Sequence, residues 1–215
     1  MAEERLNNIH KHLKIDFGSL QDEYPEQLMV AKYLKGDEKV LEIGGNIGRN
    51  TLVIAYILNQ QNNNDFVTIE TNPDDVWKLK HNRDLNGFQF HVESAALSAR
   101  RLIQKGWNTM PSDTLEDGYF FIDTITWGDL LNKYNIIFDT LILDCEGAFY
   151  YILQDAPEIL DNMKLIIVEN DYCDANKKRY VDEKLKESGF FLDYSAPHPW
   201  AKDDTNFYEV WKKNI

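Results

Sequence analysis

Four times along this chain an apolar run closes on a glycine or an acid and gives way to a segment with helical spacing. "KVLEIG" (39–44) leads into "NTLVIAYILNQ" (50–60), and "DFVTIE" (65–70) into "NPDDVWKLKHNRDLNG" (72–87). "FDTLILD" (138–144) leads into "AFYYILQDAPEIL" (148–160), and "KLIIVEN" (164–170) into "DANKKRYVDEKLKESG" (174–189). Such continuous Val, Ile and Leu runs predict strands buried on both faces. Their alternation with helices predicts a parallel sheet covered on both sides. "FQFHVE" (88–93) adds one more strand. The last two runs, "FFLDYS" and "NFYEVWKK", are joined by "APHPWAKDDT" with no helix between them, which predicts an antiparallel hairpin at the sheet edge. The expected fold is therefore α/β. It is a doubly wound, mostly parallel seven-stranded sheet with an antiparallel edge hairpin and helices on both faces.

Residues 1–35 read as helical, with Leu28, Ala31 and Leu34 at helical spacing in "YPEQLMVAKYLKG". The polar stretch 98–118 reads as an irregular, lid-like insertion. It is followed by a strand in "YFFIDTITW" and a short helix in "GDLLNKY". With no repeat, low-complexity tract or linker, the reading is a single domain over 1–215, helical at 1–35 where it covers the site.

Charge narrows the partners. The formal net charge of −13 argues against a broad nucleic-acid or anionic-membrane surface, because phosphate binding needs clustered Lys and Arg. "SARRLIQK" (98–105) is the one basic stretch and reads as a solvated face. Cys145 and Cys173 lack metal spacing and read as reduced thiols. With no leader and no span, the expectation is a cytoplasmic protein of unknown oligomeric state. Whether it is a piece of a larger chain is open.

The chemistry starts at "LEIGGNIGRN" (41–50). Gly44, Gly45 and Gly48 give G-G-x-x-G, not the G-x-G-x-x-G of dinucleotide binding. Glu42 precedes them at the strand end, where a negative charge disfavours a pyrophosphate and favours a cation. Glu70 ends the next strand, where an acid can accept both hydroxyls of an adenosine ribose.

These stretches resemble those of class I S-adenosylmethionine-dependent methyltransferases, and more narrowly the FkbM type. "VLEIGGNIGRNT" resembles motif I, and "IETNPDDVWKLKHNRDLNG" the acid of strand two with its Asn-Pro and helix. "VESAALS" resembles the adenine-side segment, and "LILDCEGAFYYILQDAPEIL" with "LIIVEN" the Asp-x-Glu-Gly signature and the strand after it. The resemblance covers about residues 24–195. It implies an S-adenosylmethionine site, left as S-adenosylhomocysteine after reaction. Glu42, Gly44, Gly45, Asn46 and Gly48 would hold the amino-acid end, Glu70 and Asn72 the ribose, and Ser94 and Ala95 the adenine with Glu93 as a substitute carboxylate. Asp144 would lie beside the methyl group, and Gln27 would cover the cofactor. Two positions depart from the family. Ile142 stands where Lys is usual, and Phe149 where an acid is frequent.

A hydroxyl acceptor needs a base or a metal. Asp144, Glu169 and Asn170 end neighbouring strands and form a candidate Mg²⁺ or Mn²⁺ site, similar to that of catechol O-methyltransferase. Strand-end acids also cap helices, and that reading stands beside the metal one. Glu146 reads equally as a helix-start acid or as an acceptor-binding residue or base. His198 is a candidate base on the edge connection, with a solvated loop histidine as the alternative. Trp107 and Trp200 fall on loops, as stacking residues or as anchors, and the remaining tryptophans read as packing. The expected activity is O-methylation of a sugar hydroxyl in a glycan or glycoconjugate. The alternatives are a small phenolic or polyketide acceptor, or a catalytically silent S-adenosylmethionine-binding module.

Overall fold

The computed structural model describes residues 1–172, 174–198 and 206–213. The chain begins with helices α1 (Ala2–His10) and α2 (Tyr24–Tyr33). Then follow β1 (Val40–Ile43), α3 (Arg49–Asn59), β2 (Phe66–Glu70), α4 (Pro73–Leu85) and β3 (His91–Ser94). Short strands come next: β4 (Ala96–Leu97), β5 (Leu102–Lys105), β6 (Asn108–Pro111), β7 (Phe120–Ile122) and β8 (Thr124–Ile125). The second half runs α5 (Trp127–Tyr134), β9 (Thr140–Leu143), α6 (Phe149–Asp155), β10 (Leu165–Glu169), α7 (Ala175–Glu187), β11 (Phe190–Ala196) and β12 (Tyr208–Lys213).

The main sheet has seven strands in the order β11-β12-β10-β9-β1-β2-β3. All pairs are parallel except those made by β12, which runs antiparallel to both β10 and β11. This is the expected architecture, edge hairpin included. Strand order reverses between β1 and β9, so a crevice opens at their carboxyl ends, where open sheets of this kind bind ligands.

Alternation along the buried strands sorts their side chains onto two cores. Val40, Ile142, Ile167 and Val210 join Leu6, Val30, Leu52 and Leu58 from α1, α2 and α3. Leu41, Ile43, Leu143 and Ile166 join Leu130, Ile152, Leu153 and Leu185 from α5, α6 and α7. Period-two alternation thus points Glu42 toward α3. Helices α4, α5 and α7 start where the sequence supplies a side-chain cap. Asn72 accepts from the Asp74 amide at 3.0 Å, Thr126 from Asp129 at 3.1 Å, and Asp174 from Asn176 at 2.9 Å.

The insertion differs from expectation. Instead of an irregular loop over 98–118, β5 pairs antiparallel with β6 and β7 in a separate three-stranded sheet, and β4 pairs with β8. Cation–ring contacts hold this sheet together. The Arg101 guanidinium lies 3.8 Å from the Phe121 ring centre and Lys105 lies over Tyr119. Arg100 fastens the sheet to α6 by a forked pair with Asp155 at 2.6–2.9 Å. The basic stretch is therefore largely paired and stacked rather than free.

Candidate active site

The turn after β1 is closed by contact. Gly44 has φ +97°, and a Cβ there would lie 1.6 Å from the Asp144 carbonyl oxygen. A Cβ on Gly45 would lie 2.2 Å from the Thr68 hydroxyl. The two glycines are therefore what lets β1 end against both β9 and β2. Each of the five amides from Gly44 to Gly48 already has an acceptor. Gly44 and Gly45 donate to the Ile69 carbonyl and Gly48 to that of Gly45. Asn46 donates to Glu70 Oε2 at 2.8 Å, and Ile47 to the Asn46 side chain. Phosphate-binding loops aim free N–H groups at the ligand, and this one has none to offer. Arg49, the cation at the start of α3, is paired with Glu23 at 2.8 Å and Asp22 at 3.3 Å.

Glu70 fastens this turn to the end of β2. Beyond Asn46, its Oε1 accepts from the Thr71 and Asn72 amides at 2.7 and 2.8 Å, and more loosely from the Thr71 hydroxyl at 3.3 Å.

Glu42 is buried, and its Oε2 accepts from the Thr51 hydroxyl at 2.6 Å. Burial pushes its carboxyl up to about 8, against the lowering pull of its hydroxyl partners. The residue level with it on β9 is Ile142, also buried. A lysine at this position, as in the FkbM type that the sequence resembles, would set a cation beside Glu42. With isoleucine there, the carboxyl lacks that compensation.

Four more carboxyls converge at the strand ends. Asp144, after β9, is held well above the usual range by burial and then by Glu23, Glu26, Glu146 and Glu42. Glu169, at the end of β10, is pushed up to about 11 by burial and then by Glu26 against it, with Asp144 adding to the effect. Glu146, at φ +52°, is pushed up to about 7 by desolvation and by the Asp171 carboxyl. None of Glu26, Asp144, Glu146 and Glu169 forms a salt bridge among the described residues. The site is a concentration of acid without a cationic partner among the described residues, which raises its carboxyl pKa values and brings that of Glu146 near neutrality.

The other expected residues scatter around this centre. Gln27 is fully buried, and its amide is taken at both ends, by His10 at 2.6 Å and the Asp22 carbonyl at 2.8 Å. It ties α1 to the start of α2. Asn72 caps α4. Glu93 turns toward α5 and accepts from Lys133 at 2.6 Å and Tyr134 at 2.8 Å, while Ser94 is exposed, level with Glu70, and Ala95 is buried. His198 packs edge-on against Phe207 at 4.6 Å, and Phe207 precedes Tyr208, the residue level with Glu169. His198 therefore lies on the β10 side of the crevice. Trp107 is 74% exposed on the β5–β6 turn. Trp77 is 60% exposed against Phe17 and His81, not packed as expected. Burial pushes the Cys145 thiol up to about 12, which suits an inert thiol. Trp200 and Cys173 lie outside the described residues.

The structure does not support the divalent-ion site. Asn170 gives its Nδ2 to the Asn206 carbonyl at 2.9 Å, and no group of three or more His, Cys, Asp or Glu among the described residues is placed to hold a metal. Sequence reasoning missed Glu23, Glu26 and Thr51. Glu23 and Glu26 stand three apart at the start of α2, but their partners lie far along the chain. Thr51 had a local signal, a hydroxyl in the first turn after the glycines.

No family model and no curated protein matches this chain. Solved structures do. An O-methyltransferase from Bacillus cereus in complex with S-adenosylhomocysteine aligns with 99% of this chain and 90% of its own, at TM-score 0.53 and 15% identity. Ribosomal protein L11 methylase from Lactobacillus delbrueckii subsp. bulgaricus aligns with 93% and 82%, at 0.55 and 11%. A protein of the NADB-Rossmann superfamily from Streptococcus agalactiae aligns with 88% and 69%, at 0.53 and 13%. With strand order and these likenesses together, the chain has the Rossmann-like methyltransferase fold.

Proposed function

We propose that this chain is an S-adenosylmethionine-dependent O-methyltransferase of the FkbM type, acting on a sugar hydroxyl of a glycan or glycoconjugate. One observation carries the donor assignment. The turn after β1 has all its amides satisfied and stands among uncompensated carboxyls, an environment suited to a cation and unsuited to a pyrophosphate. S-adenosylmethionine carries an ammonium and a sulfonium and no phosphate.

Glu42, with the Gly44–Asn46 backbone, would hold the amino-acid end. Glu70 would take the ribose diol, which competes most easily with the loose Thr71 hydroxyl at 3.3 Å. When bound, the sulfonium supplies an already activated methyl group. The protein's own task is to align the acceptor oxygen and take its proton. Glu146, near neutrality beside Asp171, and Asp144 are the groups placed for that proton, with His198 on the far rim.

The acceptor class is tested by following S-adenosylhomocysteine release across matched panels of sugars and phenols. Turnover on sugar hydroxyls supports the reading. Turnover on phenols alone moves it to a small aromatic acceptor. Cofactor binding with no turnover on any hydroxyl assigns a silent binding module.

A further inference from the structure

The acid at the strand ends exceeds what the methyl donor uses. S-adenosylmethionine carries a net single positive charge, and Glu42 and Glu70 lie on its side of the crevice. Glu26 and Glu169 stand on the other side, across Asp144, where α2 meets β10 and β12. Glu26 is 8% exposed, and its carboxyl is hydrogen-bonded with the Glu169 carboxyl and the Tyr208 hydroxyl. Its Oε2 is nonetheless buried without a hydrogen-bond partner, and so is Oδ1 of Asn170, which follows Glu169. Both orphans are acceptors, and a buried acceptor without a donor is destabilising. Leaving them in place is therefore informative. What they lack is a donor, and an ammonium brings three N–H groups and a positive charge. A metal ion would also satisfy oxygens, but no suitable ligand group is assembled among the described residues.

Resting on the methyltransferase reading, we propose that the acceptor bears a protonated amine, seated against the Glu26–Glu169 pair at the unpartnered Glu26 and Asn170 oxygens, beside the hydroxyl that is methylated. The substrate class is then an amino sugar or amino polyol rather than a neutral one. Glu26 and Glu169 hold the ammonium and fix which neighbouring oxygen faces Asp144. The ammonium keeps its protons throughout and takes no part in the bond changes.

Glucosamine and glucose differ only in the group at issue. They are titrated by calorimetry into protein saturated with S-adenosylhomocysteine, at constant ionic strength. Glucosamine should bind at least about tenfold more tightly than glucose, since a desolvated charge pair is worth more than 1.4 kcal/mol. Glu26→Gln and Glu169→Gln should each abolish the preference, while S-adenosylhomocysteine affinity, measured on the same variants, stays within about threefold. Equal binding of the two sugars, binding of neither, or a preference that survives both substitutions overturns the proposal. So does Mn²⁺ binding that depends on Glu26 with no amine preference. If S-adenosylhomocysteine itself fails to bind, the donor reading fails separately. The sugar pair is then titrated into the protein alone, where the same preference and its loss in Glu26→Gln still decide the role of Glu26.

Discussion

Glu42 and Gly44 carry the account at the scale of single residues. Glu42 sits near 8 in the fold, against its ordinary 4.5. The fold therefore holds a proton that the unfolded chain releases. This stabilisation is complete below the unfolded value and is lost as pH rises through the folded one. In ligand-free protein, the unfolding free energy from urea titrations should fall between about pH 5 and about pH 9, by an amount on the order of a few kcal/mol. Glu42→Gln should reduce that slope, with the remainder carried by Asp144, Glu146 and Glu169, which are raised as well. An unchanged slope in the variant would assign the pH dependence elsewhere. Gly44→Ala should cost more than about 3 kcal/mol, because the Cβ meets a carbonyl as well as a positive φ. Gly87→Ala has a positive φ but open space around it, and should cost only about 1–2 kcal/mol. Urea denaturation of the pair checks the contrast, and equal losses would mean that the close approach to Asp144 does not constrain the turn.

At the scale of elements, β9 and the insertion are the revealing cases. Ile142 lies level with Glu42 on adjacent strands. Ile142→Lys should bring a cation beside Glu42, lower its carboxyl and remove most of its share of the pH slope, as read by the same unfolding series. An unaltered slope would show that the lysine cannot reach. The insertion hangs on Arg100, whose guanidinium forks onto Asp155. Arg100→Ala should cost about 1 kcal/mol and speed amide exchange across β5, β6 and β7 while leaving β1 and β9 protected. Exchange rising equally in the main sheet would contradict a separately anchored insertion. These elements also mark how far the sequence could be read. The main-sheet strands were legible because burial on both faces leaves unbroken runs such as "TLIL" and "LIIV". The strands of the insertion were not. They are three or four residues long, only β5 buries a run of side chains while β6 and β7 mix exposed and half-buried ones, and contacts such as Arg101 on Phe121 leave no periodic trace.

At the scale of the whole molecule, the fold gathers acids from α2, β1, β9 and β10 into one crevice of a chain already at −13. The residues proposed for the donor rest on local signals, motif I and Glu70, separated by one helix. The contact of Glu26 with Glu169 left no such signal, because it joins the start of the chain to its far half. The same excess of acid argues against RNA as the acceptor, although methyltransferases of other substrates share the fold. No helix among the described residues is long and apolar enough to cross a membrane. On the proposed function, the glycine turn and Glu70 hold S-adenosylmethionine and not a dinucleotide. Titration calorimetry with S-adenosylhomocysteine, with NADH as the comparison, separates the two. One saturable site for S-adenosylhomocysteine is expected, weakened at least about tenfold in Glu70→Ala, with no heat from NADH. Folded protein that gives no heat with S-adenosylhomocysteine at high micromolar concentration, or that binds NADH instead, would contradict it.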